Sequence, residues 1–216
     1  MAGFSPRERR ELQVLLAIFA VVTIWSAIRP FDMADYVLEL ATPLGGAILL
    51  VVTARWYRFT PLAYRLMFLE GLILLVGAHY THERVPLFDW LREPMGWERN
   101  HYDRFAHFAV GFLLALPFRE LILRFARTTS GAASVLAAVS VMALACFYEI
   151  TEWWIAAAAS PEVGAAYLGA QGDIWDAQKD MLLDSIGGIV SMLLLSGLHD
   201  RCILTSSHPQ TLKSFP

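Results

Sequence analysis

One stretch constrains this chain more than any other. From Ser130 to about Ala159 no charged side chain appears before Glu149. A helix on a water-soluble protein needs a polar face on every turn, and this stretch has none. The hydrocarbon core of a bilayer, about 30 Å thick, takes about 20 apolar residues of helix. Five further segments approach that length: 12–28, 36–53, 61–80, 103–123 and 176–199. Composition agrees, with 56% hydrophobic and 17% charged residues and a mean hydropathy of +0.48, against about 45–50% and 25% in soluble domains. No period-two pattern suggests a membrane barrel. Backbone groups in lipid must pair within the segment, so helices are the expected spans.

The sequence therefore predicts an all-α membrane protein, a single bundle of six transmembrane helices over residues 1–204. A polar tail, 205–216, is expected to be disordered. Thr60-Pro61 reads as an N-cap with proline at the first helical position. Ser160-Pro161 ends the fifth span, and Pro117 is expected to kink the fourth near Leu113. Arg7, Arg9 and Arg10 before the first span mimic a signal peptide. The apolar run that follows is longer than the usual signal core of about 7–15 residues, and no small-x-small cleavage site follows it. An uncleaved first helix is expected.

Lysine and arginine set the orientation. With both termini cytoplasmic, 11 of these residues fall inside and 6 outside. The loops before the fourth and sixth spans are then external, and they are also the longest and most acidic. The net charge of -3 and the lack of a basic stripe exclude a nucleic-acid partner. The two cysteines, Cys146 and Cys202, form no metal-finger or disulfide pattern.

Five carboxylates lie inside spans: Glu39, Glu70, Glu149, Glu152 and Asp184. At a helix centre each costs up to about 2.5–3.5 kcal/mol on insertion scales, so such residues face the protein interior and mark function. In the predicted orientation Glu149, Glu152 and Asp184 share an outer depth with Asp103 and His107, which open the fourth span. Asp103 and His107 are four apart and share a helix face, as do Glu149 and Glu152, three apart. Asp176, Asp180 and Asp184 step by four, and Gly187 and Ser191 continue their stripe with small residues suited to close packing. Asp173 reads as the N-cap of that helix.

Six acids in a small region, Asp103, Glu149, Glu152, Asp176, Asp180 and Asp184, face few cations: Arg104, Lys179 and His107. Converging carboxylates need a counter-charge. A hard divalent cation (Mg²⁺, Mn²⁺ or Ca²⁺) suits a carboxylate set, and one histidine leaves Zn²⁺ open. In this scheme Asp103, Glu149, Glu152 and Asp180 hold the cation. His107 serves as general acid/base, with Glu149 and Glu152 as its catalytic partners. Plainer readings stand beside it. Asp103 with His107 can be an interfacial cap pair, and Glu149 with Glu152 a structural clamp. Asp176 reads better as a solvated helix start, and Glu70 as a lone protonated core acid. His79 and His82 read as interfacial residues, and Trp90, Trp97, Trp153, Trp154 and Trp175 as an aromatic belt. No common hydrolase, metalloprotease or nucleotide-binding motif is present.

Three motifs carry a resemblance: Tyr102-Asp103-Arg104-Phe105-Ala106-His107-Phe108, Tyr148-Glu149-Ile150-Thr151-Glu152-Trp153-Trp154 and Gln171-Gly172-Asp173-Ile174-Trp175-Asp176-Ala177-Gln178-Lys179-Asp180-Met181. With them the chain resembles the YjdF-like family of bacterial inner-membrane proteins over nearly its whole length. It more distantly resembles VanZ-like membrane proteins, which carry a similar Asp-x-x-x-His, Glu and Asp arrangement. The resemblance implies a small multi-pass protein of the bacterial inner membrane and carries no reaction with it. The functional expectation is metal-assisted hydrolysis or group transfer on a membrane lipid or lipid-linked envelope substrate. Two other classes remain open. One is a proton- or cation-coupled transporter with Glu70 as a midplane relay. The other is a structural or partner membrane protein.

Overall fold

The computed structural model describes residues 4–126, 128–158 and 170–205. Seven α-helices are present among them: α1 (Pro6–Ser26), α2 (Met33–Thr53), α3 (Pro61–Tyr80), α4 (Pro86–Met95), α5 (Tyr102–Phe125), α6 (Ser130–Ala158) and α7 (Asp176–Thr205). A short 3₁₀ turn, Ala170–Gly172, precedes α7, and no strand occurs among the described residues. Five helices, α2, α3, α5, α6 and α7, are long and apolar enough to cross a membrane. Helix α1 is different. Arg7, Glu8, Arg9, Arg10 and Glu11 occupy its start and the helix stops at Ser26, short of the expected Ile28. Its uncharged part, Leu12–Ser26, rises about 22 Å, less than a full hydrocarbon core.

Local chemistry sets the helix starts. Ser5 and Glu8 form a reciprocal capping box on α1. Asp32 accepts from the backbone of Ala34 and Asp35 at the start of α2. The Thr60 hydroxyl accepts from Ala63 N at 3.3 Å, with Pro61 at the first helical position. Helix α5 continues through the buried Pro117 to Phe125. Helix α4 was not expected from the sequence. It is a short amphipathic helix of 10 residues, opened by Pro86 and closed by Gly96 at φ +65°. The expected stop at Ser160-Pro161 and the tail beyond Thr205 lie outside the described residues.

Helix α5 is the centre of the bundle and packs on α3, α6 and α7, most extensively on α7. Helices α1 and α2 flank α3. Ala115 and Leu116 of α5, Ala137 and Val141 of α6 and Met192 of α7 form the apolar core. Exposed Leu, Ile and Val side chains cover the outward faces of α2, α6 and α7, as expected where lipid replaces water. Gly111 of α5 and Gly187 of α7 let two backbones touch. A Cβ at Gly111 would lie 2.7 Å from the Asp184 carbonyl carbon, and one at Gly187 would lie 2.8 Å from Phe112 N. Only glycine on both sides permits this approach.

This packing leaves two polar layers, one at each end of the α5–α6–α7 core. At the end of α5 near Phe125, the fully buried Arg119 donates to Ser134 Oγ (2.9 Å), Ser130 Oγ (2.6 Å), Asp200 (2.6 Å) and His199 Nδ1 (2.9 Å). Because Arg119 can only donate, His199 carries its proton on Nε2, which faces Glu120 Oε2 at 3.3 Å. Glu120 also accepts from the backbone and hydroxyl of Thr60. This layer ties α3, α5, α6 and α7 together, and each guanidinium nitrogen of Arg119 has a partner. Arg119, near the expected cytoplasmic end of the span 103–123, is an internal pin.

Candidate functional site

The second polar layer lies at the opposite end, where α5 and α7 begin and α6 ends. Asp103 and His107 sit on one face of α5, as their spacing requires. His107 Nδ1 faces Asp184 Oδ2 of α7 at 2.9 Å. A carboxylate only accepts, so Asp184 fixes the Nδ1–H tautomer and leaves Nε2 as a bare lone pair in the neutral ring. That Nε2 stands 3.7 Å from Asp103 Oδ1. Asp103, His107 and Asp180 each offer a ligand atom, and these atoms lie within 4.8 Å of one another. Asp180 and Asp184 are buried, and Oδ1 of each has no hydrogen-bond partner.

Of the expected site residues, the structure brings Asp103, His107, Asp180 and Asp184 together. Glu149 and Glu152 are half-buried and stand outside the three-residue group. Glu149 feels the charges of His107, Asp103 and Asp184, and Glu152 those of Glu149, Glu39 and His107. Tyr148 donates to Glu39 of α2 at 3.4 Å, and its ring lies edge-on to His107. His82 stands 3.8 Å from Glu39 and is buried against the protein at the end of α3. His79 binds the carbonyl of Ser26 at 3.0 Å and ties α3 to α1. Glu70 lies deeper, 3% exposed, with neither oxygen partnered, and its charged neighbours are Asp184 and His107. Trp90, Trp153, Trp154 and Trp175 are exposed, as a belt requires.

Asp176 is a correction. It is not a solvated helix start: it is 6% exposed and accepts from Arg99 Nη1 at 2.8 Å. Burial was decided by a residue the sequence reading left in a loop. Arg99 also reaches Asp173 (3.4 Å) and Asp103 (3.9 Å). Arg104 and Lys179 both bind Asp173, at 2.6 and 2.5 Å. Asp173 accepts from Trp175 N at 3.1 Å, so it caps the approach to α7 and gathers three cations as well. The Lys179 hydrogen bond, then the Trp175 amide, hold the Asp173 carboxyl below its ordinary 3.8. Burial, with Asp103 adding to it, pushes the neighbouring Glu83 carboxyl above the usual carboxylate range.

Arg99 is held in place by Asn100, which the sequence reading also missed. The fully buried Asn100 side chain donates to Val85 O (3.1 Å) and Asp89 (2.9 Å) and accepts from Tyr102 N (3.0 Å). Its backbone exchanges two hydrogen bonds with the Gln171 amide, at 2.8 and 2.9 Å. Gln171 adopts a left-handed φ of 56° to make them, a strained conformation paid for by that double bond. The one signal in the sequence was spacing: Arg99 lies four residues before Asp103. No comparable signal pointed to Asn100, whose partners lie on α4, α5 and the turn before α7.

Fold and site together define a multi-pass α-helical membrane protein with a buried carboxylate–histidine cluster at one end of its central helix. Within that class, the chain belongs to the family described as "Predicted membrane protein (DUF2238)", which matches residues 11–201. It is 36% identical over 183 residues to "Inner membrane protein YjdF" of Escherichia coli (strain K12), covering 84% of this chain and 87% of that one. The protein is thus an integral inner-membrane protein. These matches lend no support to the VanZ-like likeness. No solved structure matches the chain.

Proposed function

We propose that the cluster is a divalent-cation site, facing the outer leaflet, that serves hydrolysis or group transfer on a lipid or lipid-linked envelope substrate. The observation that carries this reading is the Asp103, His107 and Asp180 group, whose ligand atoms fall within 4.8 Å of one another. Donors bound to one cation at about 2.1 Å stand about 3–4 Å apart. The Nε2–Oδ1 separation of 3.7 Å suits a shared cation and is too long for a hydrogen bond. Asp184 behind His107 completes the carboxylate–histidine–metal arrangement by which proteins orient a ligating imidazole. The unpartnered Oδ1 of the buried Asp180 supplies a further donor. This moves His107 from acid/base to ligand. Glu149 and Glu152, which feel the charges of the cluster, are left as the general acid/base pair, while the cation would polarise a substrate oxygen. Asp176 and Asp173 set the roof through Arg99.

The topology that goes with this reading has six crossings, with α1 as the sixth, and both termini cytoplasmic. It rests on the 11-to-6 distribution of lysine and arginine. The test is metal content of the purified protein, followed by mass spectrometry of lipid extracts incubated with protein and Mn²⁺ or Mg²⁺. A product formed by the wild type and not by the Glu149→Gln, Glu152→Gln double variant is expected. Identical spectra would remove the enzymatic reading. One observation favours the second reading, proton- or cation-coupled transport: the orphaned, buried carboxyl of Glu70 below the cluster. A proton flux in vesicles that vanishes in Glu70→Gln would select it.

A further inference from the structure

Arg99 is held at one end only. Its Nη1 donates to Asp176 and Asp173. Its Nε and Nη2 are buried and have no hydrogen-bond partner among the described residues. Those two nitrogens form the side-on edge of the guanidinium, the parallel pair of N–H donors that matches two oxygens of one anion. The edge is turned toward the cluster, because Nη2 stands 3.9 Å from Asp103 Oδ2. At that distance Asp103 does not fill it. Arg104 repeats the pattern: Nη2 donates to Asp173 at 2.6 Å while the buried Nε is unpartnered. Asp173 thus anchors both arginines and leaves three charged N–H donors open, the two on Arg99 beside Asp103.

Buried charged donors without partners are rare in folded proteins, because the lost hydration is not replaced. Donors of this kind beside a cation site select the missing group. The side-on edge of Arg99 asks for two oxygens of one anion, and a terminal phosphoryl group offers those two with a third left over for the cation or for Arg104. Asp173 and Asp176 already offset much of the arginine charge, so an anion would enter only when the cation has neutralised Asp103 and Asp180. We infer that a phosphoryl subsite lies between Arg99, Arg104 and the Asp103–His107–Asp180 centre, and that the substrate is a phosphate monoester. This rests on the cation-site reading above. Arg99 takes two oxygens through its side-on edge and Arg104 a third.

The experiment uses the full chain in detergent, with Mn²⁺ and inorganic phosphate as probes, followed by calorimetry and the Mn²⁺ electron paramagnetic resonance signal. Phosphate is expected to bind the Mn²⁺-loaded protein and to bind far less without Mn²⁺. Arg99→Lys, which keeps a charge beside Asp176 and loses the side-on fork, should weaken phosphate binding about 10- to 100-fold while leaving Mn²⁺ affinity near wild type, and Arg99→Gln should weaken it at least as much. Arg104→Gln is the second variant, in case Arg99 substitutions unseat Asp176, and it should show a smaller loss. If Mn²⁺ binds and phosphate does not, or if the Arg99 and Arg104 variants bind phosphate as the wild type does, the subsite is overturned and the cation site stands. If Mn²⁺ does not bind, the cation site falls. The subsite, which needs the cation, then falls with it. A short-chain lipid phosphate in micelles distinguishes the sources: tighter binding than inorganic phosphate assigns the subsite to a lipid headgroup, and equal binding to a water-soluble ester.

Discussion

The contact between Gly111 and Gly187 is predicted to set both the stability of the bundle and the geometry of the cluster. Gly111 lies one turn below His107 on the same face of α5, and its neighbour across the contact is Asp184, the residue that orients His107. Gly111→Ala would put a Cβ 2.7 Å from the Asp184 carbonyl carbon. Both sides of this contact are backbone, so no rotamer change relieves it. The Asp184 carbonyl oxygen lies closer still, so restoring an ordinary 3.4 Å contact asks α7 to retreat by at least about 0.7 Å, which would stretch the 2.9 Å His107–Asp184 hydrogen bond to about 3.6 Å or more, beyond bonding range. Overpacking of this rigid kind costs about 3 kcal/mol, and the helix gain of glycine to alanine offsets about 1 kcal/mol of it. The net loss of about 2 kcal/mol corresponds to a melting point lower by about 4–8 °C for a chain of this size. The control is Gly45→Ala on α2, where nothing lies within 4 Å and the same helix gain should act alone. The assay is thermal unfolding in detergent, paired with Mn²⁺ binding. Gly111→Ala is expected to lose both stability and Mn²⁺ affinity. A Gly111→Ala protein as stable as Gly45→Ala, with Mn²⁺ affinity unchanged, would refute the reasoning.

Three further outcomes are expected. Arg119→Met leaves His199 Nδ1 without a donor and Asp200 with Ser130 alone, and should destabilise by about 3 kcal/mol, whereas Asp200→Asn, at a side chain 39% exposed, should cost less; thermal melts of the two variants compare them. Asp180→Asn should abolish bound Mn²⁺ in metal analysis while the helical circular dichroism stays unchanged, and retained metal would exclude Asp180 as a ligand. Asp173 titrates below its ordinary 3.8 in the fold, so its contribution is present above that pH and is lost as pH falls through the lower folded value. The acid limb of the stability profile should therefore flatten in Asp173→Asn, and an unchanged limb would show that the Lys179 and Arg104 ties contribute nothing.

What the sequence determined by itself was length and depth. An uncharged run from Ser130 can only be a long buried or lipid-facing helix, and α6 is one. Thr60-Pro61 started α3 through a purely local hydrogen bond. The common level of Asp103, Glu149 and Asp184 followed from where helices begin and end, because rise per residue is fixed. Tertiary structure alone decided which acids meet. The rotation of each helix about its axis and the distance between axes depend on packing across the bundle, here on two glycines in different helices. That packing paired His107 with Asp184 and gathered Asp180 to Asp103, leaving Glu149 and Glu152 to one side. It also turned Arg99 and Asp176 inward, and joined Arg119 to His199 and Asp200 across the opposite end. Spacing within one helix carries no information about a partner some 80 residues away, so those choices could not be read from the chain.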